Sequence, residues 1–382
     1  MLKIKKIIVI PPDGILLKQD LSLLKMITYF SQIENIVLEL VYIKDESPID
    51  HFKMFDSIIQ VNSKEQLIER LKESTYDLII HRAWMHRYSF ASELAEQFDK
   101  IIFFIKDWMD EISQKEYEVL FKTGEDYAAI KKIFESGNKI FSHFSDSYSK
   151  KLAKKYNIDK SKFVFFPEYC SKDNFYVRKL PTYTTEKNIL FAGILVSTSK
   201  PEELSEAKDI FSVIKKLTEQ KVNVHVLTLE KYYNQLFSEE NRLLWADYLY
   251  EHYFNEYFSI QKGKVLERYI FNKYHFGMIG GLYYNKKNLS LKSICHVVPS
   301  KVSLYLEAGI PIIVNKKWEA LASLVRDNNI GIIIENKDLN NINEKLNISE
   351  KEYNNLLKSV YKFREKFSYN EQTMKPILEM LQ

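Results

Sequence analysis

HVVPSKVSLYLEAGIPIIV, residues 296–314, reads as a loop, a short helix and a Gly-Pro turn into a buried strand. Pro299 suits a helix entry, and Ser300 is placed to cap the helix through its hydroxyl. Lys301 then falls at the first helical position, beside backbone N–H groups that lack a partner within the helix. An ammonium and amides converging on one point suit a phosphate or diphosphate. Gly309 and Pro311 end the helix and set the next strand. Taken alone, these residues fit equally well a capped surface helix with a solvated lysine.

Outward from this stretch, short apolar runs alternate with helical patterns. The second half offers strands at NILFAG (188–193), VNVHVL (222–227), FGMIGG (276–281), IPIIV (310–314) and GIIIE (331–335). Helices fit 202–219, 300–308 and 318–327. The first half offers strands at 5–10, 36–43, 76–81, 100–105, 139–144 and 163–168, with helices at 64–73, 89–98 and 125–136. Continuous apolar strands joined by helices imply a largely parallel sheet covered on both faces. The pattern lapses over CSKDNFYVRKLPTYTTEK (170–187), which marks a domain boundary. We divide the chain into domains over 1–180 and 181–360 and a closing helix over 361–382, interrupted or kinked near Pro376. Two such domains leave a cleft, with ligands beyond the carboxyl ends of the strands.

The chain has 382 residues, enough for two domains, and 46% apolar content, ordinary for a globular protein. Its formal charge of +4 is small, and lysine and glutamate are mixed along most of its length. Nothing there calls for nucleic acid, while anionic small molecules and a membrane surface stay open. Cys170 and Cys295 show no metal spacing, and a reducing compartment is the simplest reading. MLKIKKIIVI (1–10) reads as a first strand rather than a signal peptide, because charge and Pro-Pro-Asp-Gly follow at once. No run reaches the roughly 18 apolar residues of a membrane helix.

Several side chains lie at expected strand ends. Gly193 closes NILFAG and permits close approach of backbone to a ligand, and Ser197 follows in a small polar loop. Asp13 and Gly14 follow the first strand, where Asp-Gly is also an ordinary turn signal. His81 and Arg82 end the third expected strand, offering a base and a partner for an anion, or simply an exposed loop. Glu168 ends the last strand of the first half. Residues 232–284 are rich in Tyr and Phe, which we assign mainly to core and helix packing, with a stacking or partner surface as the alternative.

The stretch PSKVSLYLEAGIPIIV, within this two-domain pattern, resembles nucleotide-sugar glycosyltransferases of GT-B architecture. It is most similar to the group of bacterial galactofuranosyl- and glucosyltransferases of surface glycans and adhesins. That resemblance implies an α/β GT-B fold, two Rossmann-like domains facing each other across a cleft, with an acceptor-side first domain, a donor-binding second domain and a closing helix packed back on the first. The group's pattern falls on Pro299, Lys301, Ser303, Tyr305, Leu306, Gly309, Pro311, Ile313 and Val314. It makes Lys301 a ligand of the donor diphosphate and places Gly193 in the flexible turn after the first donor-domain strand. Ser300, Ser303 and Tyr305 complete the candidate donor site, and the reading of strand ends and loops adds Gly14, Arg82, Glu168 and Ser197 as cleft candidates. Asp13 and His81 are the candidate bases for an inverting reaction. The glutamate that many retaining GT-B enzymes place five positions before the glycine is Leu304 here, so retention is not implied. The implied activity is metal-independent transfer of a sugar from a nucleoside diphosphate, UDP foremost, to an acceptor hydroxyl. The acceptor would be a glycan, lipid-linked glycan or protein, at a cytoplasmic location extending to the inner membrane face, with no resident cofactor and with a homo-oligomer open. A sugar-nucleotide epimerase, or a non-catalytic protein binding glycans or a partner, are the alternatives.

Overall fold

The computed structural model describes the chain apart from residues 1–2, 13–20, 45–52, 85–86, 106–107, 109–112, 122–124, 179–185, 196, 199–205, 264–267, 281 and 283–294. The chain divides into two compact units. Unit 1 comprises Met1–Ser171 with Ser368–Gln382, and unit 2 comprises Lys172–Phe367.

Unit 1 is built on β1 (Lys5–Ile10), β2 (Ile36–Ile43), β3 (Ser57–Val61), β4 (Leu78–Ala83), β5 (Ile101–Ile105), β6 (Lys139–Ser142) and β7 (Phe163–Phe165). They form one parallel sheet in the order β3-β2-β1-β4-β5-β6-β7. Because both faces of the sheet are covered, β5 (IIFFI) is buried along its whole length and β1 buries Ile7, Ile8, Val9 and Ile10. Helix Lys64–Glu73 shows the local logic of the connections. Ser63 caps it by accepting from the Gln66 amide, and Leu67 and Leu71, one turn apart, turn inward.

Unit 2 repeats the plan with β8 (Asn188–Ala192), β9 (Asn223–Thr228), β10 (Phe258–Lys262), β11 (Phe276–Met278), β12 (Ile312–Asn315) and β13 (Gly331–Ile334). Its parallel order is β10-β9-β8-β11-β12-β13. Both sheets are doubly wound, and in each the order reverses beside the first strand. That reversal lies between β1 and β4 in unit 1 and between β8 and β11 in unit 2.

Two boundaries differ from the sequence reading. The units part at 171/172 rather than 180/181, because residues 172–178 bond into unit 2. The Tyr176 amide donates to the Glu307 carbonyl at 2.9 Å, and buried Arg178 donates to the carbonyls of Gly309 and Tyr274. Unit 2 runs on to Phe367 rather than ending at 360, because one uninterrupted helix spans Glu350–Lys366. Arg364 in its last turn donates to the carbonyls of Tyr176 and Glu307.

The terminal helix Glu371–Leu378 is not interrupted at Pro376, and it continues to Leu378 before a 3-10 turn at Glu379–Leu381. A capping box of Asn370 and Thr373 starts it, and Met374, Ile377 and Leu381 bury into the core that contains Ile7 and Phe30. That burial and capping offset the missing proline N–H. Tyr369 fixes the return of the chain by donating its hydroxyl to the Ser22 carbonyl at 3.1 Å.

Candidate functional site

In unit 2 the strand order reverses between β8 and β11, and the carboxyl ends of the strands at such a switch point are where sheets of this kind bind ligands. β8 runs through buried Phe191 to Gly193, whose amide donates to the Leu227 carbonyl at 3.0 Å. Above these ends lies helix Lys301–Glu307, which leads through Gly309 into β12. Gly309 has φ +71°, the left-handed closure expected of this glycine.

One residue fixes that helix to the sheet. Tyr305 is fully buried, and its hydroxyl accepts from the Ala192 amide at 2.9 Å. The same hydroxyl lies 2.9 Å from the Met278 carbonyl and 3.2 Å from the Leu190 carbonyl. Its single proton serves two carbonyls on adjacent strands. The ring lies flat on β11 because residue 277 is glycine, where a Cβ would sit 2.6 Å from the ring. Burial pushes the phenol pKa up, so the hydroxyl remains a proton donor.

Tyr305 is therefore corrected from donor contact to brace, since its polar atom is already engaged by three backbone groups. Ser303 is corrected likewise, being fully buried with its hydroxyl donating to the Ser300 carbonyl at 2.9 Å. Ser300 makes no side-chain cap and is itself in helical conformation, with φ −58° and ψ −26°. The expected row of free amides is reduced, too. Val302 N–H donates to the Pro299 carbonyl at 3.0 Å and Ser303 N–H to the Ser300 carbonyl at 3.2 Å, closing a tight first turn.

What the helix presents is Lys301. Within residues 301–307 only Lys301 and Leu304 escape full burial. Lys301 lies one turn before Tyr305 and so on the same face, directed to the strand ends. Its ammonium stands 5.1 Å from the Phe191 ring centroid. A Cβ on Gly193 would fall 2.6 Å from Lys301 Cε and 3.0 Å from Nζ. The structure thus brings Gly193 and Lys301 together at the switch point, with Phe191 as the floor. Ser197 is turned away from this group. Its hydroxyl donates to the Leu244 carbonyl at 2.8 Å, and Thr198 donates to Asp247 at 2.7 Å, tying the post-β8 loop to helix Ala246–Phe254.

Sequence reasoning missed Phe191 and Gly277. Gly277 carried a usable signal, since a glycine inside a strand marks the close approach of another group. Phe191 carried none that separates it from other core aromatics.

In unit 1, Asp13 and Gly14 lie outside the described residues. His81 lies inside β4, which runs on to Ala83 rather than ending at 81, and is only 1% exposed, walled edge-on by Phe90 and Phe103. Its Nδ1 lies 3.1 Å from the Ile10 carbonyl, which requires the proton on Nδ1. Desolvation pulls its pKa down to about 4, against a smaller upward effect of that bond. Such a sealed, weakly basic ring pins β1 to β4, which corrects its reading as a general base. Arg82 donates to the Ser22 hydroxyl at 2.9 Å. Glu168 pairs with Lys25 at 3.0 Å, both side chains being 12% exposed, so its charge is compensated within unit 1. Among the described residues, no group of three His, Cys, Asp or Glu is placed to hold a metal ion.

Similarity to solved structures follows this architecture. A glycosyltransferase from Rickettsia africae superposes with TM-score 0.65 at 12% identity, covering 100% of this chain and 98% of that one. The fold is GT-B. Sucrose-phosphate synthase from Thermosynechococcus elongatus gives TM-score 0.65 at 11% identity over 99% and 98% of the two chains. A UDP-N-acetylglucosamine 2-epimerase gives 0.56 at 10% identity over 99% and 96%. Residues 255–380 match the family model for the glucosyltransferase 3-like C-terminal domain. That match takes in β10 to β13 and the Lys301 helix of the GT-B chain. Comparison with curated proteins finds no match.

Proposed function

We propose that this GT-B protein is a glycosyltransferase that moves a sugar from a nucleoside diphosphate, UDP foremost, to an acceptor hydroxyl. The observation that carries the reading is Lys301 laid across Gly193 at the switch point of the second sheet. The glucosyltransferase 3-like match over residues 255–380 supports it. The acceptor would be a surface glycan or glycoprotein, and the setting the cytoplasmic side of the membrane.

In this reaction the bond from the anomeric carbon to the diphosphate oxygen breaks, and a bond to the acceptor oxygen forms. Positive charge grows on the sugar while negative charge grows on the departing phosphate. Lys301, held by Tyr305 at a fixed height over Phe191, stabilises that leaving charge as it develops. Because the ammonium is placed before reaction, little reorganisation is required. The acceptor proton passes to a base or to the departing phosphate. Asp13 is the base we propose if configuration inverts. Leu304, the other accessible position on the helix, offers an apolar contact rather than a carboxylate.

The test is turnover of UDP-, GDP- and CDP-sugars with and without glycan and peptide acceptors, for wild type and Lys301→Ala. Acceptor-dependent release of the nucleoside diphosphate, reduced in the variant, is expected. Epimerised sugar nucleotide formed without acceptor would overturn the reading, as would transfer unaffected by Lys301→Ala.

A further inference from the structure

The molecule's charge is concentrated in one place. Residues 139–162 hold seven lysines and two aspartates, with no arginine or glutamate, for a net +5. The whole chain carries +4, so the remaining residues sum to −1. This stretch forms β6, helix Asp146–Tyr156 and the turn Lys160–Lys162 that leads into β7, the edge strand of unit 1.

The helix is two-sided. Tyr148, Ser149, Leu152 and Ala153 are buried, whereas Lys150, Lys151, Lys154 and Lys155 are all exposed. At 100° per residue those four lysines fit within an arc of roughly 140°, opposite the buried face. Lys139, Lys160 and Lys162 extend the field, since none of them is buried. Lys139 donates to the Ser161 carbonyl at 2.8 Å, which joins the start of β6 to the Lys160–Lys162 turn. One carboxylate, Asp146, is shared by Lys150 and Lys160, and its pKa is pulled down to about 2 by those hydrogen bonds. Asp159 is engaged by Ser161. Phe165, in the edge strand that Lys162 leads into, is 40% exposed and sits at the rim.

We propose that this lysine face docks the protein on an anionic lipid surface. Lysine without arginine fits diffuse attraction to headgroups, whereas base readout in nucleic acid favours the arginine fork. Lys139 and Lys160–Lys162 lie at the amino ends of β6 and β7, away from the carboxyl edge where ligands of such a sheet bind. Docking there leaves that edge open. The inference does not depend on the glycosyltransferase reading.

The experiment is flotation of the full chain with phosphatidylcholine vesicles, with or without phosphatidylglycerol, across a salt series. A parallel arm measures duplex DNA binding. Two variants replace Lys150, Lys151, Lys154 and Lys155 together, by Gln or by Arg. Wild type should bind only the anionic vesicles and dissociate as salt rises. The Gln variant should lose roughly 100- to 1,000-fold in partitioning, at about fivefold per lysine, while the Arg variant retains binding. Equal binding to both vesicle types, anionic binding insensitive to salt, or binding to DNA but not to vesicles would overturn the proposal. The wild-type salt series decides the matter even if the Gln variant fails to fold.

Discussion

A methyl group at position 193 would press on Lys301 at Cε and Nζ, the far end of a flexible side chain. The ammonium must move, and at φ +159° the backbone itself is in a conformation that L residues rarely adopt. Gly193→Ala should therefore lower the thermal midpoint as well as raise the KM for the donor. Lys301→Met should instead lower kcat/KM by roughly 100- to 1,000-fold, the range seen when one preorganised charge-stabilising group is removed. Steady-state kinetics on the two variants separate displacement from loss. His81 gives a different signature. Its folded pKa lies at about 4, below the ordinary 6.5, so the unfolded chain binds more protons between those values. Stability should be full above pH 6.5 and fall as pH drops toward 4, with a slope of up to about 1.4 kcal/mol per pH unit from this group. Denaturant titrations across that window should show the slope shrinking in His81→Asn, and an unchanged slope would contradict the assignment. At this scale sequence reading is strongest at strand ends. Gly193 stands out there, and Lys301 at a helix start, but a buried phenol and a ligand-binding phenol look alike in sequence. Tyr305 is braced because Gly277, 28 positions earlier, leaves room for its ring, and that pairing is non-local.

At the level of elements, helix Lys301–Glu307 is short, and its position depends on tertiary contacts more than on its own hydrogen bonds. Tyr305→Phe would leave the Ala192 amide and the Leu190 and Met278 carbonyls without their phenol partner. The expected loss is about 1–3 kcal/mol, with donor KM rising because Lys301 loses its anchor. Unaltered unfolding and kinetics would mean the brace is idle. The closing helix offers a second test. Met374 is fully buried in the unit 1 core, so Met374→Ala should cost about 2–5 kcal/mol despite lying eight residues from the C-terminal residue. The elements also show where periodicity stops being informative. The runs at 5–10 and 36–43 match β1 and β2 residue for residue, because interior parallel strands are apolar on both faces. β3 and β10 were missed. Both are edge strands with alternating burial, and SIIQV and FSIQK are too short and too polar for that rule. Helix Asp146–Tyr156 was missed for a related reason, since four lysines interrupt a narrow apolar stripe.

At the scale of the whole molecule, two sheets with the same reversal of strand order carry different chemistry at their switch points. In unit 1 the described position there is filled by a sealed histidine, and in unit 2 by an accessible lysine over a glycine. A ligand of unit 2 should therefore be an anion, and binding should raise the unfolding midpoint in proportion to the logarithm of ligand concentration. The two-domain plan was legible because apolar runs recur with helical spacers. The boundaries were not, because Arg178 and Arg364 bond to carbonyls distant in sequence. The most direct measurement is calorimetric titration of UDP and UMP into wild type and Lys301→Met. Wild type should prefer the diphosphate by roughly 10- to 100-fold, the worth of one charge-assisted contact, and the variant should lose most of that preference. The same preference in both proteins would contradict the placement of the diphosphate beside Lys301.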